Sequence, residues 1–358
     1  MHHFKELISK LSPFASKGRL RKEQNYLKNG SAVLEEFLTL CDGKCRIPLR
    51  YFSAIEIERA TKDAENSVIF IKGTYMVKGL LDKRSILVNF TYCNFDRKFS
   101  DVCRDIAITS QMSHLKNVLK IIGCCLEYGE PVMVYEYVED AITLDDLLSN
   151  NGYARNSSIP WESRLRIANE IASVIVFLHS EFTTPIIFRD LHSQKLLIGQ
   201  SSGVAKLFDF SFSVPLPPGE LEVAVQDVAR GTCGHPDPEY CWSGNVTQKT
   251  DVYSFGNVLL QLLTGKRAYV RDGVITKVGE PYLKSNKEEC NVMDIADPDI
   301  LAGERGIHEI RQQLEDYFDL VKRCTVTNGD DRPYMIDVAR ELRRIEKCFR
   351  AIGTPGLN

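Results

Sequence analysis

The sequence predicts an α+β fold of two lobes, a small β-rich lobe followed by a larger α-helical one, with a helical extension in front. Three observations predict it. Short β-type runs cluster between Ser67 and Tyr137 and enclose one helical stretch. Beyond Asp140 helical periodicity dominates. Ahead of residue 50, apolar residues recur at helical spacing.

In chain order, Phe4, Leu7, Ile8 and Leu11 define a short amphipathic helix with Lys5 and Lys10 off its apolar face, ended by Ser12-Pro13. A second helical stretch, Val33 to Leu40, runs into a turn at Cys41–Lys44. Residues 1–50 are thus expected to form the extension and 51–350 the main domain, with lobes at about 51–138 and about 139–350. The β-type runs are Ser67–Ile71, Ile86–Thr91, Val118–Ile122 and Val132–Tyr137, and the enclosed helix is Phe99–Met112. The second lobe carries helical stretches at Leu144–Leu148, Trp161–Glu181, Thr250–Leu263, Gln312–Cys324 and Asp337–Phe349. Strand-like pieces interrupt them at Ile186–Phe188, Leu196–Ile198 and Ala205–Asp209. The polar stretch Ala268–Lys287 reads as a surface loop.

The chain of 358 residues is 44% hydrophobic and 26% charged, the balance of an ordinary globular protein. A net charge of −3 gives no reason to invoke nucleic acid. Residues 1–30 are locally basic, with seven Lys/Arg against two Asp/Glu. Eleven scattered cysteines form no zinc spacing, so reduced thiols in a cytoplasmic protein are expected. No apolar run reaches transmembrane length, no signal-peptide core is present, and His2 stands where myristoylation requires glycine.

Five pieces in fixed order carry a family resemblance: "VYEYV" at 134–138, "FRDLHSQK" at 188–195, "GTCGHPDPEY" at 231–240, "DVYSFGNVLLQLLTGK" at 251–266 and "DRPYM" at 331–335. Together they resemble a protein kinase over roughly residues 52–348, and more narrowly a plant receptor-like cytoplasmic kinase. "NGSAVLEEFLTLCDGKC" at 29–45 and "YFSAIEIERAT" at 51–61 resemble the ZRK group. These are pseudokinases that sit on a plant NLR immune receptor and help it sense modified host kinases. The resemblance implies a bilobal kinase fold. It implies that Asp251 braces the catalytic loop, that Arg332 pairs with Glu239, and that Glu136 and Tyr137 lie at the adenine hinge.

Phosphoryl transfer needs positioning and charge neutralisation, so each motif position can be read as a physical requirement. In "IFIKGTYMVKG" at 69–79 the expected glycine positions hold Ile69, Ile71 and Thr74, leaving only Gly73, one place out of register. In "ILVNF" at 86–90, where an active kinase resembles VAVKK, Asn89 falls on the phosphate-gripping lysine. Its acidic partner aligns with Asp105, one methylene shorter than Glu. A substitute lysine could come from Lys72 or Lys78. In the catalytic loop Asp190, the base position, and Arg189 persist, but Phe188 replaces His and His192 replaces Lys. Lys195 stands at the metal-binding asparagine. Unit charges about 4 Å apart interact with roughly 4 kcal/mol at an effective dielectric near 20, and a divalent ion roughly doubles that repulsion. Asp209 keeps its metal-ligand position, with Ser211 in place of the last glycine of the motif. Lys195 is read either as a built-in counter-ion to Asp209 or Asp190, or as a solvent-facing side chain.

The expectation is therefore a catalytically impaired pseudokinase needing no cofactor, with at most weak ATP binding at Gly73, Glu136, Tyr137 and Asp209, and no magnesium. The alternatives are an active Ser/Thr kinase with atypical ATP-binding residues and a nucleotide sensor. By resemblance its partners are an NLR receptor and a bait kinase, the latter through the activation segment Asp209–Glu239. The basic N-terminus suits a plasma-membrane surface, docking on a partner or self-packing.

Overall fold

A computed structural model describes residues 18–41, 49–62, 68–71, 74–90, 98–148, 159–225, 237–266, 269–271, 274–276, 291–302 and 307–352. The predicted helix at Phe4–Leu11, most of the Cys41–Lys44 turn, Lys72, Gly73 and the later part of the activation segment lie outside them. The chain divides into two compact units, Met1–Glu139 with Phe208–Ser213, and Asp140–Leu207 with Val214–Asn358.

The first unit opens with helix α1, Gly18–Cys41, far longer than the Val33–Leu40 stretch expected. Its polar first half hides the period, while Val33, Phe37 and Leu40 bury its inner face. Strand β1 (Arg50–Tyr51) leads into helix α2 (Ala54–Ala60). The β-branched Ile55 and Ile57 mask this helix, but Ser53 and Glu56 close a capping box at its start. Strands β2 (Val68–Ile71), β3 (Thr74–Leu81), β4 (Arg84–Asn89), β5 (Ile121–Cys125) and β6 (Val132–Glu136) complete a sheet in the order β1-β5-β6-β4-β3-β2. β3 is absent from the sequence expectation, and β5 starts three residues later than expected. Asp82 and Lys83, both at positive φ (48° and 64°), make the two-residue hairpin turn between β3 and β4. β1 lies so close to β5 that a Cβ on Gly123 would sit 2.0 Å from the Arg50 carbonyl oxygen. One face of the sheet packs Val77, Ile86, Val88, Val132 and Val134 against Phe52, Ala54, Ile57 and Phe90. Helix α3, Phe99–Met112, has the predicted bounds.

The second unit is mainly helical, as predicted. It contains β7 (Ala141–Thr143), α4 (Leu144–Leu148), α5 (Trp161–Ser180), β8 (Ile186–Ile187), β9 (Leu196–Gly199) and β10 (Ala205–Leu207). After these come β11 (Val214–Pro215), β12 (Glu222–Ala224), α6 (Pro238–Ser243), β13 (Asn245–Thr247) and α7 (Gln248–Thr264). Within the stretch expected to be loop, β14 (Tyr269–Arg271) pairs with β15 (Val274–Thr276). Helices α8 (Val292–Ile295), α9 (Pro298–Leu301), α10 (Ile307–Cys324) and α11 (Met335–Ile352) finish the unit. α7 is buried from Thr250 to Thr264, and Gly256 lets α10 approach, since a Cβ there would meet Cys324 Cβ at 2.8 Å. Among the described residues no helix is long and apolar enough to cross a membrane.

Candidate functional site

In the first unit, strand register fixes what the face that carries Asn89 presents. Met76, Asn89 and Met133 stand opposite one another, as do Lys78, Leu87 and Tyr135, so these two rows share the face away from the valine cluster. All but Lys78 are buried, and the Tyr135 hydroxyl donates to Met133 Sδ at 3.1 Å. Leu87 stands where VAVKK has its small alanine, a substitution that the sequence reading passed over. Asn89 is 1% exposed, and its Oδ1 has no hydrogen-bond partner among the described residues. No ammonium is offered in its place by Lys78, whose Nζ sits 4.2 Å from the Tyr137 ring centroid in a cation–π contact.

Asp105, on α3, points its Oδ1 at Thr109 Oγ1 (2.8 Å) and at the backbone N–H of Phe210 (2.9 Å). The helix carboxylate is thus used to hold the Asp209-Phe210-Ser211 segment. Asp209 sits in the left-handed region, φ 64°, uncommon for a non-glycine residue. The Ser211 hydroxyl donates to Asp209 Oδ1 at 2.6 Å. Ser211 therefore gives the aspartate a local donor, a role beyond the lost backbone freedom noted from sequence. Glu136 turns its carboxylate to the Lys120 backbone N–H (3.2 Å) at the end of β6.

In the second unit the catalytic loop hangs from α7. Asp251, fully buried, accepts from the backbone N–H groups of Phe188 and Arg189 and from His179 Nε2, all at 2.8 Å. Three donors satisfy the buried carboxylate and hold Arg189 at φ 69°. The Phe188 ring lies in the core, 1% exposed. Arg189 Nε donates to the Tyr240 hydroxyl at 3.0 Å. A 3₁₀ turn at Ser193–Lys195 follows, capped by His192 and tied to Asp145 through Ser193 Oγ (3.0 Å) and Gln194 Nε2 (3.2 Å).

That turn aims Lys195 inward. Its Nζ lies 3.2 Å from Asp190 Oδ2, with His192 Nε2 3.7 Å from Asp190 Oδ1. Asp190 is 5% exposed and Lys195 8%, so the solvent-facing alternative for this lysine is wrong.

The expected pairing of Arg332 with Glu239 is present at the outer limit of an ion pair, and a closer acid takes most of the guanidinium. Its fully buried guanidinium forks onto Asp237, with Nη1 to Oδ2 and Nη2 to Oδ1 both at 2.7 Å. Glu239 stands off at 3.9 Å and is half-exposed, its carboxylate accepting instead from the Gly329 N–H at 2.6 Å. Asp237 wins because it caps α6 and is buried at 2% exposure.

Cys103, Cys124, Cys125 and Cys324 are free and buried, and burial pushes each thiol up to about 12, so none is poised to react at neutral pH.

A family profile described as protein kinase domain matches residues 89–341, beginning at Asn89, after the degenerate β2–β3 pair. The non-functional pseudokinase ZED1 of Arabidopsis thaliana is 36% identical over 344 residues, covering 93% of this chain and 99% of that protein. The serine/threonine-protein kinase ZRK1 of the same plant is 35% identical, covering 92% and 96%. The non-functional pseudokinase ZRK2 of Arabidopsis thaliana is 32% identical, covering 97% and 99%.

Proposed function

Since the chain belongs to the protein kinase family, and within it to the ZRK-like group, we propose that it is a catalytically impaired pseudokinase. It serves plant innate immunity as an adaptor between an NLR receptor and a modified host kinase. The observation that carries the loss of catalysis is the ion pair of Lys195 with Asp190 at 3.2 Å. An ammonium at the metal-ligand position occupies the would-be base and repels a divalent ion. Asn89 brings no charge to the phosphates, and Asp105 is bound to Thr109 and Phe210. The residues present do not fit a magnesium–nucleotide complex. ATP binding, where it occurs, is weak, metal-independent and made at Glu136 and Tyr137.

Two relatives named as non-functional pseudokinases match nearly the full chain and support the loss of catalysis, while the adaptor half rests on the resemblance to the ZRK group. A protein used for its surface keeps its scaffold, here Asp251, Asp237 and Arg332, while its phosphate grip decays. In this reading the activation segment meets the bait kinase. The protein works in the cytoplasm, and its basic N-terminus recruits it to the plasma membrane or to the receptor.

Incubation of the purified chain with radiolabelled ATP, beside thermal melts with and without magnesium, tests the first half. The expected result is no transfer and no magnesium-dependent stabilisation. Robust transfer abolished by Asp190→Ala would overturn it. Retention of an NLR on the tagged chain in plant tissue tests the second half, and its absence there counts against the adaptor role. The competing reading, an active Ser/Thr kinase, draws on the kinases named ZRK1 and ZRK4, 35% and 32% identical, and is decided by the same transfer assay.

A further inference from the structure

Helix α1 has two faces. Val33, Phe37 and Leu40 bury the inner one, and the Asn29 amide anchors it by donating to the carbonyls of Leu126 (2.8 Å) and Tyr128 (2.9 Å). On the outer face stand Leu20, Leu27, Leu34 and Leu38, exposed at 73%, 68%, 57% and 56%. Gln24 and Ser31, both exposed, fill the gaps. The series 20, 24, 27, 31, 34, 38 advances by alternating steps of four and three, the spacing of a coiled-coil seam rather than of scattered surface leucines. It spans about 27 Å of helix at ~1.5 Å per residue.

The charges beside the seam select the occupant. Arg21, Lys28 and Glu35 follow it at seven-residue intervals along one edge, all exposed. We propose that this face is where a second copy of the chain docks, the two α1 helices pairing antiparallel about a twofold axis. In that register Leu20 of each copy meets Leu38 of the other, Gln24 meets Leu34, and Leu27 meets Ser31. Arg21 of each copy then faces Glu35 of the other, giving two complementary ion pairs. Neither Arg21 nor Glu35 has an ion-pair partner among the described residues. Lys28, which would meet its own copy at the axis, is drawn back onto its own unit, its Nζ 4.4 Å from the Phe99 ring centroid. A parallel pair would depend on Glu23 facing Lys28, yet Glu23 is already paired to Arg19 at 3.1 Å and Lys28 to Phe99. One helix face per copy makes a small interface in which Gln24 or Ser31 enters four of the six layers, so the dimer is weak and concentration-dependent.

Sedimentation velocity of the full chain between about 1 and about 100 µM reads the association. A rising dimer fraction is expected. Arg21→Glu and Glu35→Arg, both at exposed positions, each weaken the dimer about tenfold, because each turns two attractions into repulsions. Mixing the two variants restores wild-type association, since in the mixed pair each of these positions again faces the opposite charge. Leu27→Glu gives a monomer whose melting temperature is unchanged, showing that the fold survives. A wild-type chain that stays monomeric across this range overturns the proposal, as does a mixture no tighter than either variant alone. A monomer that instead binds phosphatidylserine vesicles through Arg21 also overturns it, assigning the face to a lipid surface.

Discussion

Asp190 and Lys195 form a pair only 5% and 8% exposed, and at such burial an ion pair is more costly to break than profitable to make. Removing one partner leaves a carboxylate in a place where water screens it poorly. Lys195→Asn, which restores the kinase-like residue, is therefore expected to destabilise the protein by about 3 kcal/mol. His192, 3.7 Å from the same carboxylate, offsets part of the loss. The melting temperature should fall by about 5–10 °C. Millimolar magnesium should raise it again in the variant and leave the wild type unmoved, because only the variant has a site without a resident cation. Melting temperatures that match between the two proteins, with and without magnesium, would refute the counter-ion role. Asn89 illustrates the complementary loss. A neutral amide is buried where a kinase lysine would grip phosphates, and its Oδ1 lacks a hydrogen-bond partner among the described residues, a small cost to stability.

Between elements, the clearest device is the fork of Arg332 onto the cap of α6. Asp237 accepts two hydrogen bonds from a fully buried guanidinium and one from the Glu239 N–H, so Asp237→Ala should cost about 3–5 kcal/mol in urea unfolding. Glu239→Ala, which loses one bond to Gly329 at a half-exposed position, should cost only about 1 kcal/mol. Equal costs would return Glu239 to the role that the motif implies. The motif located both acids, but which one meets an arginine 95 residues after Asp237 is set by packing, not by local pattern. The same limit explains other differences. Helix α3 was legible to the residue because its apolar period is unbroken across fourteen positions. β3 was not, because Lys78 and Gly79 interrupt the apolar alternation, and its partner strands supply the order that its own sequence lacks. α2 hid behind β-branched residues, although the Ser53–Glu56 capping box was there to be read. At the site, residue types gave Asn89 and Lys195 their significance, but the inward turn of Lys195 and the Ser211 clasp on Asp209 are set by the folded loop and not by local pattern.

Within the first unit, the extension and the start of the activation segment are joined through a single helix. Arg104 on α3 reaches Glu36 of α1 at 3.4 Å on one side and the Ser213 carbonyl at 3.4 Å on the other. Its neighbour Asp105 holds the Phe210 N–H. α1 therefore bears on Ser213 through the Arg104 guanidinium, beside the carboxylate that holds Phe210. The Glu36–Arg104 contact adds little net stability. Burial pushes the Glu36 carboxyl up more than Arg104 pulls it down, so the pair's value lies in position. Glu36→Ala should accordingly lower the melting temperature by no more than a few degrees while freeing Arg104 to leave Ser213. Amide hydrogen exchange should then accelerate about tenfold at residues 210–213 and in α3, a local opening equivalent to roughly 1.4 kcal/mol. Exchange in α7 should not change, because its protection comes from burial along Thr250–Thr264 in the other unit. Acceleration spread evenly over both units would mean that Glu36 supports global stability instead. No acceleration at 210–213 would mean that the extension and the activation segment are uncoupled. The predicted pattern would make the N-terminal helix a handle on residues 210–213.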